Sequence, residues 1–341
     1  MQYVLGHPIH AMNGGLTVRI ADDARKCVVF FGQSAPPAGE IEYGGTGFIV
    51  SLPHDGMASM YLLTCRHVAR RLEKTGGFVI RANLKQGGSE PLQVDHVEWA
   101  YHPDKTVDLA ATDFYFGPDV DHASYALEGT LNRMTYKAHC GDPVNIVGLF
   151  RLHSGTHRST PIVHCGHIAA LADAKERVPL KDRTTKEKIE AEVHLVEAQT
   201  LEGLSGSPVF THFYVRLRDM VLPEGGHPLA HGLVKLLGLY IGAWDGEAGE
   251  LRVPLGMGLV VPFEKIMELL MDHPVLKDHR KQRLEYKRSR DAAVMDSGFS
   301  AHPAVQAEPA KAEPGPSALT DKREWVGGLA EWIDGVALRP K

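Results

Sequence analysis

The 341-residue chain is 43% hydrophobic and 23% charged with a formal net charge of −5, the balance of a globular protein and not of a disordered or fibrous one. So small a charge gives no general attraction to nucleic acid, and no apolar run reaches the roughly 18 residues that a membrane span needs. Four cysteines without a CxxC pair suit free thiols in a reducing compartment, and the opening MQYVLGHPIHAMNGG lacks the parts of a secretory signal, so a cytoplasmic location is expected.

From about residue 15 to residue 120, the runs LTVRIA, CVVFFG, GTGFIVSL, MYLLTC, FVIRANL and VEWAYH are β-branched or aromatic and bounded by turn residues, so each reads as a strand. A second series of the same kind follows with PVNIVGLFRL, PIVHCGHIAAL, EVHLVEAQTL, SPVFTHFYVRL, VKLLGLYIGAW and MGLVVPF. Strands at this spacing favour a sandwich or barrel over alternating βαβ units. The two β halves join near residues 118 to 135. VPFEKIMELLMDH sets Phe263, Ile266, Met267, Leu269 and Leu270 near helical spacing and predicts a closing helix.

Two stretches interrupt the second series. Residues 173–191 are charged throughout and read as a solvated surface insertion, and RDMVLPEGGHPLAHG reads as another. From about residue 276 a Lys/Arg-rich run, read as a solvated helix continuation, leads into a Pro/Ala-rich spacer that cannot bury a core. Beyond it, Trp325, Leu329, Trp332, Ile333 and Val336 approximate one helix face, weakened by Gly327 and Gly328. The expected organisation is a first β unit over 1–120, a second over 121–275, a basic segment and linker over 276–320, and a docking segment over 321–341. That last segment would fold back on the barrels or recruit a partner protein through a groove.

The chemistry starts at LEGLSGSPVF, where Ser205 stands between two glycines. Glycines permit the backbone angles of a loop that lifts a hydroxyl clear of its strand and aims N–H groups beside it. A serine needs a base and a group that orients the base. His67, directly after the buried-looking strand in MYLLTCRHVARRL, is the candidate base, and Asp108 in KTVDLAATDF is the candidate orienting carboxylate, with Asp104 and Asp113 as rivals. His139-Cys140 and the stretch from His164 to His167 offer imidazole and thiolate to zinc, but strand alternation puts His164 and Cys165 on opposite faces, so neither metal nor cofactor is expected.

The order His, Asp, Ser and the local sequences resemble the trypsin/chymotrypsin-like serine proteases. They are most similar to the disulfide-free bacterial branch that includes the high-temperature-requirement proteases, without its peptide-binding module after residue 270. YGGTGFIVS resembles the strand entering the first barrel, LLTCRHV the histidine motif, VDLAATDF the Asp-Leu-Ala strand and GLSGSPV the serine loop; the likeness spans about residues 25 to 270. It implies an all-β fold of two six-stranded antiparallel barrels (chymotrypsin-like) with a C-terminal helix and a flexible tail. It implies that Ser205 attacks the scissile carbonyl, His67 acts as base and then acid, Asp108 orients His67, and the backbone N–H groups of Gly203 and Ser205 form the oxyanion hole. By the same likeness Gln199, Thr200, Glu202, Tyr240, Ile241 and Gly242 would line the substrate pocket, whose apolar wall favours a small or aliphatic residue. Leu204 stands where secreted relatives keep an aspartate for zymogen activation, and Cys65 precedes His67, so the usual activation and first-barrel disulfide are not implied. The expected function is a serine endopeptidase cutting a protein substrate through an acyl-enzyme, with switching by a partner as a further expectation. The alternative is a catalytically idle protease-fold module that recruits a partner through its tail.

Overall fold

The computed structural model describes residues 22–35, 40–95, 97–127, 137–183, 185, 187–199, 201–212, 234–248 and 251–297. LTVRIA, Thr200, the stretch 218–232, the Pro/Ala-rich spacer and the 321–341 segment lie outside them.

A short helix, α1 (Asp22–Lys26), leads into β1 (Val28–Ala35), β2 (Glu40–His54) and β3 (Met57–Thr64). After α2 (Arg66–Lys74) come β4 (Phe78–Asn83), β5 (Ser89–Val94), β6 (Ala100–Tyr101), β7 (Ala110–Asp113) and β8 (Tyr125–Ala126). They form an eight-stranded sheet in the order β5-β4-β1-β2-β3-β7-β6, with β8 alongside β2. Thr46 to Val50 of β2 and Ser59 to Thr64 of β3 are buried without alternation, because both faces of the sheet centre are covered.

The second unit closes. β9 (Pro143–Gly148), β10 (Ile162–Ala170), β13 (His194–Glu197), β14 (Pro208–His212), β15 (Val234–Ala248) and β16 (Leu251–Pro262) make a barrel in the order β10-β13-β16-β15-β14-β9. Val144, Ile146, Val196, Leu204, Val209, Tyr240 and Val260 fill it. Val147 and Leu149 instead join a larger core with Phe30, Tyr61, Leu63, Phe210 and Leu239, so one apolar body runs through both units.

Of the two expected six-stranded barrels, the described residues close the second; in the first unit they form a sheet with β5 and β6 at its ends. β6 has only two residues, and β5 carries Pro91, which lacks the N–H a central strand must donate. One expectation needs correction: the charged insertion is more than solvated surface. It folds as a separate hairpin, β11 (Val178–Lys181) with β12 (Lys188–Ala191), whose Val178 and Leu180 pack on the main core.

The predicted closing helix is α3 (Phe263–Asp272), burying Ile266, Leu269 and Leu270. The basic run continues as α4 (Pro274–Ser297), strapped to the N-terminal sheet: Asp113 accepts from Arg283 at 2.8 Å and pairs with His279, and Arg280 donates to the Tyr61 hydroxyl at 2.9 Å. Among the described residues no helix is long and apolar enough to cross a membrane.

Buried His194 at the start of β13 accepts the Ala172 N–H at Nδ1, 2.9 Å away, and burial lowers its pKa from 6.5 to about 4, against a weaker opposite effect of Glu192. Below pH 6.5 the unfolded chain binds a proton that the folded chain refuses, so stability should fall as pH drops from 6.5 towards 4, by about 3 kcal/mol in all. Urea unfolding of wild type and His194→Gln across that window checks this; equal slopes for the two would refute it.

Candidate active site

Strand β3 ends inside the core at Thr64, and Cys65 turns the chain into α2 without a side-chain cap. The orphan N–H groups of the helix start therefore need an outside acceptor. Asp108 supplies it: its Oδ1 accepts the His67 backbone N–H at 2.9 Å, and its Oδ2 lies 2.6 Å from His67 Nδ1. An ionised carboxylate only accepts, so Nδ1 carries the proton and Nε2 is left as the basic nitrogen. Both side chains are 17% exposed. Burial of Asp108 raises its pKa, but the charge and hydrogen bonds of His67 more than offset this, and the carboxyl titrates below its ordinary range.

The Asp108 loop is fixed from two sides. Val107, Leu109 and Ala110 are buried, and the buried guanidinium of Arg66 donates to the carbonyls of Lys105 (2.8 Å), Asp104 (3.2 Å) and His102. The rival aspartates are engaged elsewhere. Asp104 closes its own turn by accepting from the N–H and hydroxyl of Thr106, and Asp113 holds α4.

The serine loop joins β13 to β14. Leu204 points into the barrel and is fully buried, which leaves its neighbour Ser205 half-exposed on the outer side. Gly203 and Gly206 hold φ of +100° and +93°. At Gly206 a Cβ would collide with the Thr46 carbonyl, so no other residue fits this close approach. Thr46 clasps the loop: its N–H donates to the Ser205 carbonyl (3.0 Å), its hydroxyl to the Gly203 carbonyl (2.7 Å), and the Leu149 N–H returns a bond to that hydroxyl (3.0 Å). The Gly206 N–H (2.8 Å) and the Cys65 thiol (3.4 Å) share the Tyr240 carbonyl, which brings the serine loop and the segment before His67 to one point.

Ser205 Oγ donates to the Ile241 carbonyl at 3.5 Å and makes no hydrogen bond to His67. Among the described residues, the backbone N–H groups of Gly203 and Ser205 have no hydrogen-bond partner. Of the expected pocket residues, Gln199 is exposed, and exposed Glu202 pairs with Arg151 at 3.2 Å. Tyr240 departs from expectation: its ring fills the barrel, so only its backbone borders the site. Ile241 is buried, with its carbonyl at Ser205. Gly242, at φ +133°, is covered by Arg183 from the β11–β12 turn, which donates to the Ala243 carbonyl at 3.1 Å.

Two residues of this site carry no role in the sequence reading. Thr46 had a signal, a hydroxyl between glycines in GGTGF; Arg183, inside a charged insertion, had none. The donor atoms of Cys65, His67 and Asp108 lie within 4.8 Å of one another. Burial keeps the Cys65 thiol protonated, and the other two atoms bind each other, so the trio is a poor cation cage. Cys165 Sγ turns to Asn145 Oδ1 at 3.2 Å.

No protein-family model and no curated protein sequence matches the chain. Among solved structures, the MamO protease domain from Magnetospirillum magneticum, apo form, is 17% identical, covering 72% of this chain and 96% of that one, with a TM-score of 0.43. The Rv3671c protease of M. tuberculosis H37Rv in an inactive form is 17% identical over 74% and 91% of the two chains, TM-score 0.40. The serine endoprotease from Yersinia pestis is 17% identical over 74% of this chain and 65% of its own, TM-score 0.40. On its own geometry, the chain is a predominantly β protein with one closed six-stranded barrel, and its serine loop and histidine–aspartate pair meet where barrel and sheet adjoin.

Proposed function

We propose that the chain is a serine endopeptidase that cleaves a protein substrate through an acyl-enzyme. One observation carries the reading: Asp108 holds the Nδ1–H of His67 while Thr46 clasps the loop presenting Ser205. Ser205 Oγ attacks the scissile carbonyl, and its proton passes to Nε2 of His67. Asp108 stabilises the imidazolium, and the N–H groups of Gly203 and Ser205 receive the developing oxyanion. The imidazolium then protonates the leaving amine, and water attacks the acyl-enzyme by the same route in reverse. None of these steps calls on a metal or organic cofactor.

The Ser205 hydroxyl, turned to the Ile241 carbonyl, supports a gated form of this reading: a bound substrate or an activating protein must swing it onto His67. The 321–341 segment is the proposed handle for such a partner, and the cytoplasm the proposed location. The same turned hydroxyl favours the second reading, an idle protease-fold binding module. Intact-mass analysis after treatment with a fluorophosphonate tests the endopeptidase reading. A single adduct on wild type, absent from Ser205→Ala, is the expected result; no adduct on folded wild type would mean an idle module or a site that stays closed until its partner binds.

A further inference from the structure

The turn that carries Asp108, between β6 and β7, is closed by a second histidine. His102 grips it at each polar atom it can spare: its N–H donates to the Leu109 carbonyl at 3.2 Å, its Nδ1 accepts the Asp104 N–H at 3.1 Å, and its carbonyl accepts from Arg66. Leu109 follows Asp108 in the chain, and Arg66 precedes His67. His102 therefore ties together the neighbours of both members of the pair. Its ring bond reaches two residues ahead, across Pro103, in the manner of an Asx side chain closing a turn, and the proline fixes φ at the residue between.

Only one protonation state of the ring fits this place. The side chain is 0% exposed, and because Nδ1 accepts, the neutral imidazole carries its hydrogen on Nε2. Nε2 has no hydrogen-bond partner among the described residues and faces Glu268 Oε2 of α3 at 3.6 Å. The charged groups around the ring are Asp104 on its own turn, and Glu268 and Lys265 on α3, with Arg66 of α2 at the carbonyl. Lys265 donates to Glu268 at 3.2 Å and pairs with Glu192 at 3.6 Å. Burial lowers the His102 pKa and outweighs the opposite pull of Glu268, so the ring is neutral at pH 7. A second proton would sit on Nδ1, opposite the Asp104 N–H, and open the turn.

We propose that His102 is a positioning residue that sets the Asp108 carboxylate on His67. Its effect on turnover rests on the endopeptidase reading above; the contact itself does not.

The contact is measured first, on the full-length chain. In the proton NMR spectrum, the His67 Nδ1–H, held 2.6 Å from a carboxylate oxygen, should resonate far downfield, and its loss in Asp108→Asn assigns it. His102→Leu and His102→Gln both take away the acceptor at Nδ1, the second while keeping a polar side chain that preserves the fold. Each should shift or broaden that resonance and lower kcat for a quenched peptide by about 10²-fold, with KM within about threefold of wild type. His102→Asn should restore both, since its Oδ1 can accept the Asp104 N–H as in an Asx turn. Urea midpoints establish that the variants compared are folded. An unchanged resonance in a folded Leu or Gln variant overturns the inference, as does a folded Asn variant that behaves like them. A resonance that responds as expected, in a chain whose Ser205 takes up no fluorophosphonate, would leave the positioning role standing and put the failure at the serine.

Discussion

Replacing Ser205 with alanine is expected to lower turnover of a peptide substrate by about 10⁵- to 10⁶-fold, with a change in stability of about 0.5 kcal/mol or less. The two halves of this expectation come from different atoms. The hydroxyl is the only group of Ser205 proposed to do chemistry, and in the resting structure it makes one long bond to the Ile241 carbonyl, 3.5 Å, on a half-exposed residue. The backbone of Ser205 does the structural work, because its carbonyl accepts from Thr46, and alanine keeps that carbonyl. Residual activity should survive as modest acceleration over water, since substrate binding and the N–H groups of Gly203 and Ala at this position remain. Steady-state assays with a quenched peptide, alongside urea unfolding, check both halves. Turnover within tenfold of wild type would remove Ser205 from the chemistry. A loss of activity accompanied by several kcal/mol of destabilisation would mean that the hydroxyl is structural after all.

The legible parts of the molecule were those where chemistry or a short-range pattern demands particular residues. A tight loop that presents a serine needs glycines on either side of it, and the apolar spacing from Phe263 to Leu270 suits one buried helix face, so the loop and the helix could both be read from a few residues. Closure could not be read this way. It depends on pairings such as β9 with β14, whose partners stand more than sixty positions apart, and no local signal marks them. Thr46 was hidden for a similar reason: its sequence places it in a strand, while its function depends on Gly203, Ser205 and Leu149 arriving from the other unit. Arg183 was concealed by its neighbours. In a run of alternating charges every arginine looks solvated, and what distinguishes this one is Gly242, nearly sixty residues later, which gives it a place to lie.

Asp108→Asn should cost about 10³ to 10⁴ in turnover, and the reason lies in how few acceptors an amide has. Asp108 now accepts twice from His67, at the backbone N–H through Oδ1 and at Nδ1 through Oδ2. Asparagine has one oxygen and one NH₂, so it can serve only one of these donors. If the oxygen stays on the backbone N–H, the NH₂ faces Nδ1, which must become an acceptor; the proton then sits on Nε2, where it cannot take the serine proton. If the amide flips, the tautomer survives, but two N–H groups face each other at the start of α2 and the helix loses its outside cap. Either choice weakens the machinery, and the first disables it. The pH dependence of stability provides an independent check. Because the folded pKa of Asp108 lies below its unfolded value, the carboxylate stabilises the fold above about pH 4, and that contribution is lost as pH falls through the depressed pKa. Urea midpoints measured downward from pH 7 should therefore fall more steeply below pH 4 for wild type than for Asp108→Asn. Equal acid slopes together with turnover within threefold of wild type would show that the carboxylate neither stabilises the fold nor orients the base.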